Sequence, residues 1–467
     1  MIPHPVKLIR YGSIFLLVAA HLQAVMPMLA PISMVLFVVV HAPALRFYRQ
    51  IPAAVQVAAI FVVYTFGLLF LHNMLGDYRV LDFLRANGRV VYMLCLFLFV
   101  SHLKPSVDIE RPLFYSLIIV TAGIAALALY SRFVSVITVG EMPLSTKRSI
   151  TGFFENHNTM SGLLGAVLAL GGASWLHRLE GRTPNFINRF SLAIGFFLLI
   201  AFASSLSRSY TLGLLATGLL LIWRVPDPRV RKNCLIGGGF AGVILAGYVL
   251  VNRSEQIDSD NISNRGVLYT RAVGLIRQSP IIGIGPGGFE EIHAVRKPIV
   301  PGLITLRHSG TASEERYHHS REGIYGAHVH NTYLQLLCDV GFVGAFLLAA
   351  VFWLAFRDYR RLASIDSEEP YEEVPDESDD QVEIPPWYQS YEHAAWNSKA
   401  TWSTLAFLAV AGVFVNWCFS SPPYTIGLYM CLGRLVAQTA AVKAMIYDEY
   451  ESPESFAELQ CFEAATT

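Results

Sequence analysis

Two arginines and a histidine–asparagine pair are the residues of this chain best suited to chemistry on an anionic ligand. Arg208 stands in SSLSRSYTLG, between Ser205, Ser207 and Ser209. Arg265 opens NRGVLYTRAVGLIRQSP at 264–280, and His330–Asn331 lie in AHVHNTYLQLLCDVGFVG at 327–344. A guanidinium is a planar fork that matches phosphate oxygens in pairs. An imidazole takes up and releases protons near neutral pH, which suits it to general base work. Arg148, His328 and Asp339 are further candidates on the same stretches or beside them. Each has a plainer reading. An arginine at the end of an apolar run can anchor a helix by snorkelling. An asparagine just before a helix, such as Asn158 in GFFENHNTMSG at 152–162, is an ordinary cap. Asp339 falls inside an apolar run, where a carboxylate needs a partner; Arg434 or Arg208 is available for that role.

The elements that must position these residues are apolar helices. Hydrophobic residues make up 54% of the 467 and charged residues 15%, against about a quarter charged in soluble chains. Apolar runs at 11–26, 28–42, 54–72, 88–103, 112–133, 158–176, 190–206, 210–223, 234–251, 332–356, 399–419 and 424–443 predict an all-α integral membrane protein of about twelve spans. Every second connection is basic: Arg46 and Arg49; Lys104 and Arg111; Arg178, Arg182 and Arg189; Arg224, Arg229, Arg231 and Lys232; Arg357, Arg360 and Arg361. With Lys7 and Arg10 they fall on one side, which the positive-inside rule makes cytoplasmic together with both termini. The run after Lys7 and Arg10 is read as a retained first helix.

Residues 1–150 are read as N-terminal spans and 151–356 as a core with one large external loop, 252–331. That loop is too long for a simple turn and predicts short helices of its own. In 264–280, Leu268, Ala272, Leu275 and Ile276 share a helical face that suits the membrane surface, and Pro280 ends the helix. Residues 357–398 form a cytoplasmic insertion in which 366–383 hold ten acids and no base, a composition that predicts a disordered spacer. The last two spans follow at 399–446, then an acidic cytoplasmic tail at 447–467. Arg79, Arg85 and Arg89 are read as solvated residues of an external loop at 73–89.

Several classes are disfavoured. Net charge is zero, so nothing suggests nucleic acid. The six cysteines have no CxxC spacing, which argues against both a zinc site and a disulfide framework. Gly283, Gly285 and Gly288 match G-x-G-x-x-G, but no strand–turn–helix unit surrounds them, and a tight turn is the better reading. His308, His318, His319, His328 and His330 cluster without a metal-ligand spacing, so no metal and no cofactor are expected.

In order along the chain, these motifs resemble the O-antigen ligase and O-antigen polymerase superfamily of membrane glycosyltransferases. The resemblance rests on GFFENHNTMSG, on SLSRSYTLG with Arg208, on Arg265 followed by P-x-x-G-x-G-x-x-x-F from Pro280 to Phe289, and on H-N-x-Y-L-x-x-L from His330, with an acid and G-x-x-G ending at Gly344. It covers about 150–345; the acidic insertion is no part of the pattern. It implies transfer of a glycan from a polyprenyl (undecaprenyl) diphosphate carrier to a sugar hydroxyl on the outer face of a bacterial inner membrane. The acceptor would be lipid A-core for a ligase, or another lipid-linked chain for a polymerase, with protein as a further alternative. His330 is then the general base or a diphosphate ligand, Arg208 and Arg265 are diphosphate clamps, and Asp339, Asn331, His328 and Arg148 support them. A transporter or flippase is the rival from another class. Transporters show paired repeats and broken polar helices at the midplane, and neither is evident here.

Overall fold

The computed structural model describes residues 5–22, 28–46, 48, 50–75, 80–139, 142–145, 149–154, 157–179, 190–253, 259–285, 329–366, 386–415 and 422–449. They form helices α1 (Pro5–His21), α2 (Leu29–His41), α3 (Ala53–Leu75), α4 (Val80–Ser101), α5 (Glu110–Phe133), α6 (His157–Leu179), α7 (Phe190–Ser205), α8 (Arg208–Trp223), α9 (Pro228–Arg253), α10 (Ser259–Gln278), α11 (Thr332–Asp366), α12 (Pro386–Ala411) and α13 (Pro422–Glu449). A two-residue antiparallel hairpin, β1 (Thr138–Val139) with β2 (Met142–Pro143), follows α5.

Each of the twelve apolar runs coincides with a helix, and α10 is the extra one inside the large loop. Among the described residues, Glu110–Phe133, His157–Leu179, Thr332–Ser364 and Pro423–Met445 are long and apolar enough to cross a bilayer. Shorter apolar helices occur at Leu29–Ala44, Ala53–Leu68, Val91–Ser101, Ala193–Ser205 and Arg208–Trp223. Large apolar side chains face outward along several of them, including Ile32, Val35, Val63, Phe346 and Trp353, and along α9 at Phe240 and Val243. Water does not tolerate a continuous surface of that kind, whereas lipid does.

Helix α13 is the central element, packed by α4, α6, α11 and α12. The helix directions sort the chain into two ends. At one end lie the starts of α6, α8, α11 and α13 and the finish of α12. Gly162 lies against Tyr210 and Tyr424, Gly213 lies against the Phe407 carbonyl and Ala411, and Thr332 N–H donates to the Gly412 carbonyl. At the other end lie Arg46, Lys104 and Arg178, with Lys104 N–H donating to the Ala44 carbonyl. There Tyr48, in the connection before α3, donates to the Ser101 carbonyl. Burial pushes its phenol up to about 12, so it stays a donor across the physiological range.

Three expectations change. Helix α4 already runs from Val80, so Arg85 and Arg89 belong to a helix and not a loop; the helical spacing of Val80, Leu81 and Leu84 continues through the charged residues. Arg79 lies outside the described residues. Both ends of the acidic insertion are helical too: 357–366 completes α11 and 386–398 opens α12, while 367–385 lies outside the described residues. The acid count hid the buried face of Tyr391, Ala394, Ala395 and Trp396. Finally, Arg434 does not pair with Asp339. Its Nε donates to Glu110 Oε1 at 2.7 Å, and its Nη atoms reach the carbonyls of Lys104, Pro105 and Val107 at 2.8–3.1 Å. Gln438 donates to the same carboxylate oxygen at 2.7 Å.

This hub clips the α4–α5 connection to α13. Glu110 and Arg434 are both buried, so removing the charge of one leaves the other uncompensated. Glu110→Gln is therefore expected to destabilise the protein by about 3–5 kcal/mol. Thermal unfolding in detergent would measure it, with Glu110→Gln/Arg434→Met recovering part of the loss. An unchanged melting temperature for the single variant would show that the pair carries no structural weight.

Candidate functional site

The SLSRS stretch is the break between α7 and α8. Leu206 is buried with a left-handed φ of 58°, and Ser207 is extended before α8 begins. The residues around the break are tethered. Ser205 Oγ pairs with Ser161 Oγ at 2.6 Å, and Ser207 Oγ donates to Asn158 Oδ1 at 2.8 Å. The Ser204 carbonyl accepts from Arg132 Nη1 at 2.7 Å. Arg208, by contrast, is exposed as the first residue of α8. The serines hold the turn and the arginine is presented at a helix N-terminus, where the backbone dipole also favours an anion. Asn158 corrects its expected role. It lies one residue inside α6, and its side chain reaches across to Ser207 instead of serving as the cap.

His330 and Asn331 stand at the head of α11. Asn331 Oδ1 accepts from Tyr333 N–H and Leu334 N–H, both at 3.0 Å, which makes it the helix N-cap. His330 is exposed and has φ 55°, an uncommon conformation for a residue with a Cβ. Its carbonyl accepts from the Tyr269 hydroxyl at 3.2 Å. The start of α11 is bound to the end of α12 by Thr332, whose Oγ1 donates to the Val415 carbonyl at 2.5 Å, and by Tyr333, whose hydroxyl donates to the Ala409 carbonyl at 2.7 Å. The start of α8, with Arg208, and the head of α11, with His330, thus sit at the same end of the bundle, each helix packed against the finish of α12.

Helix α10 brings the third motif there. Leu268, Ala272 and Leu275 do form one face, and the helix does end just before Pro280. That face packs with Ile284, Val329 and Cys338 into a small core of its own. Its partner is therefore the first part of α11, not the membrane surface, because α11 offers an apolar face that period alone cannot reveal. The side chain of Arg265 lies outside the described residues. Its position is one helical turn before Tyr269, on the same face of α10.

The glycine-rich stretch after α10 docks onto a break in α11. Gly341 has φ 65° and ψ −170°, so the helix is interrupted there. The 280–284 segment and a tyrosine satisfy the freed backbone groups. Phe342 and Val343 N–H donate to the Pro280 and Ile281 carbonyls at 2.8 and 3.2 Å, Ile284 N–H donates to Cys338 O at 2.7 Å, and the Tyr64 hydroxyl donates to Val340 O at 2.9 Å. Within a membrane such groups need internal partners. A Cβ at 341 would come 2.3 Å from the Ile281 carbonyl, and one at 283 would come 2.6 Å from the Cys338 carbonyl. The tight-turn reading holds for Gly283 and Gly285, both at positive φ, while Gly288 lies outside the described residues.

Asp339 is buried just before this break and accepts from Gln335 Nε2 at 3.0 and 3.2 Å. Gln335 Oε1 in turn accepts from Val329 N–H at 3.3 Å. The i, i+4 spacing of Gln335 and Asp339 was a readable signal for this pair. Tyr269 offered none, because its contact spans two motifs. Arg148 and His328 lie outside the described residues, as do His308, His318 and His319. Among the described residues no group of three or more histidine, cysteine or acidic side chains is arranged to hold a metal.

Comparison with known proteins adds one finding. Residues 193–349 match the family model described as O-antigen ligase, a stretch that runs from α7 through the break in α11 and contains Arg208, Arg265, His330 and Asp339. A search of curated proteins finds no match to the chain. The apolar helices are those of an integral membrane protein, and its segment 193–349 is similar to the O-antigen ligase family.

Proposed function

We propose that the protein is an O-antigen ligase. It moves a glycan from undecaprenyl diphosphate to a sugar hydroxyl of lipid A-core, on the periplasmic face of a bacterial inner membrane. The observation that carries this reading is the gathering of the α8 start, the α10–α11 cassette and the His330 head at one end of the bundle, within the matched family segment. The basic connections lie at the opposite end, which supports twelve crossings with both termini cytoplasmic.

Arg208 and Arg265 bind the diphosphate, whose negative charge rises as its bond to the anomeric carbon breaks. His330 takes the proton of the acceptor hydroxyl while that oxygen bonds to the anomeric carbon. The bond to the phosphate oxygen breaks and its electron pair leaves with the polyprenyl diphosphate. Attack opposite the leaving group inverts the anomeric centre. With two guanidinium groups on the diphosphate, the step calls for no metal.

The test is transfer by purified, reconstituted protein from a lipid-linked glycan, in excess chelator, with lipid A-core or a second lipid-linked chain as acceptor. The expected product is glycan on lipid A-core. Growth of the lipid-linked chain alone would make the protein a polymerase, and transfer to neither would leave protein acceptors to try. Activity lost on chelation and restored by a divalent ion would overturn the metal-free mechanism.

A further inference from the structure

We propose that Tyr269 and Gln335 are positioning residues for transfer, holding His330 in its left-handed conformation at the head of α11; this rests on His330 acting as the base. The backbone around His330 is gripped from two sides. Tyr269, on α10, donates its hydroxyl to the His330 carbonyl at 3.2 Å. Gln335, one turn into α11, accepts from the N–H of buried Val329 at 3.3 Å. The orientation of the Gln335 amide is determined chemically. The Val329 N–H can only donate, so the amide oxygen faces it and the NH2 faces the two Asp339 oxygens, which accept. Asp339 thereby acts on His330 at one remove, through Gln335 and the backbone.

A histidine at φ 55° keeps that conformation only where its surroundings over-determine it. Relaxation toward an ordinary φ would redirect the imidazole. Tyr269 also couples the base to α10, the helix on which Arg265 stands one turn earlier. The Tyr269 grip therefore ties the backbone of the base to the helix that carries the clamp.

The experiment is a double-mutant comparison on the reconstituted full chain, using Tyr269→Phe and Gln335→Met, each alone and combined with His330→Ala. It reads kcat, donor KM, donor binding and melting temperature. A misplaced catalytic group costs up to about 100-fold, so each single variant should lose roughly 10- to 100-fold in kcat with donor KM little changed. In the His330→Ala background neither substitution should lower the residual rate further, which separates positioning from general loosening. Equal falls in both backgrounds would assign the residues a structural role and overturn the proposal. Wild-type rates for both single variants beside an inactive His330→Ala would overturn it and leave the base intact. Normal transfer by His330→Ala would remove the base and the positioning role together. Should Gln335→Met fail to fold, Tyr269→Phe decides alone, since its hydroxyl lies at a partly exposed edge.

Discussion

Replacing His330 with alanine is expected to lower transfer by about 10²–10⁴, the contribution of a positioned base, while binding of the lipid-linked donor stays close to wild type. Only this pairing of results marks catalysis. The imidazole is exposed at the head of α11, so its removal leaves no cavity inside the bundle. Helix α11 keeps its Asn331 cap and its bonds to α12 through Thr332 and Tyr333. If His330 instead held the diphosphate, donor affinity would fall with the rate, and His330→Arg or His330→Lys would restore part of both. Near-normal turnover by His330→Ala would end its candidacy in either role.

The second large effect is expected at the arginines. Arg208→Lys and Arg265→Lys should each lose about 10- to 100-fold in transfer, the rate equivalent of one charged hydrogen bond of about 1.5–3 kcal/mol. Lysine keeps the charge but not the planar fork. A site that needed charge alone would accept the change. Because Arg208 is exposed and the turn behind it is held by Ser205, Ser207 and Asn158, its substitution should leave the melting temperature unchanged. Arg79→Lys and Arg85→Lys, outside the motifs, serve as controls and should transfer normally. Lysine variants that reach the membrane and transfer at wild-type rates would refute the clamp.

Helix positions, the basic end of the bundle and the residues worth testing were all legible in the amino-acid sequence. Apolar runs of spanning length must become helices, because a bilayer leaves the backbone no other partner than itself. The alternation of basic connections marks one end of the bundle, and charges placed against that pattern stand out individually. The α10 face was legible from its period, and so was the end of that helix at Pro280.

Apart from the local Gln335–Asp339 pair, what the sequence could not say was which partner each group takes, since those contacts join distant stretches. Asp339 was expected to pair with Arg434 or Arg208, and packing of α5 against α13 instead set Arg434 on Glu110. The apolar face of α10 was read as suiting the membrane surface, and it packs on the first part of α11. Asn158 looked like a cap and proved to be a tether to Ser207. The tight turn read at Gly283 and the G-x-x-G that begins at Gly341 became one joint: the two glycines approach so closely that neither site has room for a Cβ, and the broken helix is completed by the backbone of the docked loop. Periodicity is a property of one segment and survives in the sequence. A hydrogen bond between segments depends on their mutual placement, and only the tertiary packing decides that.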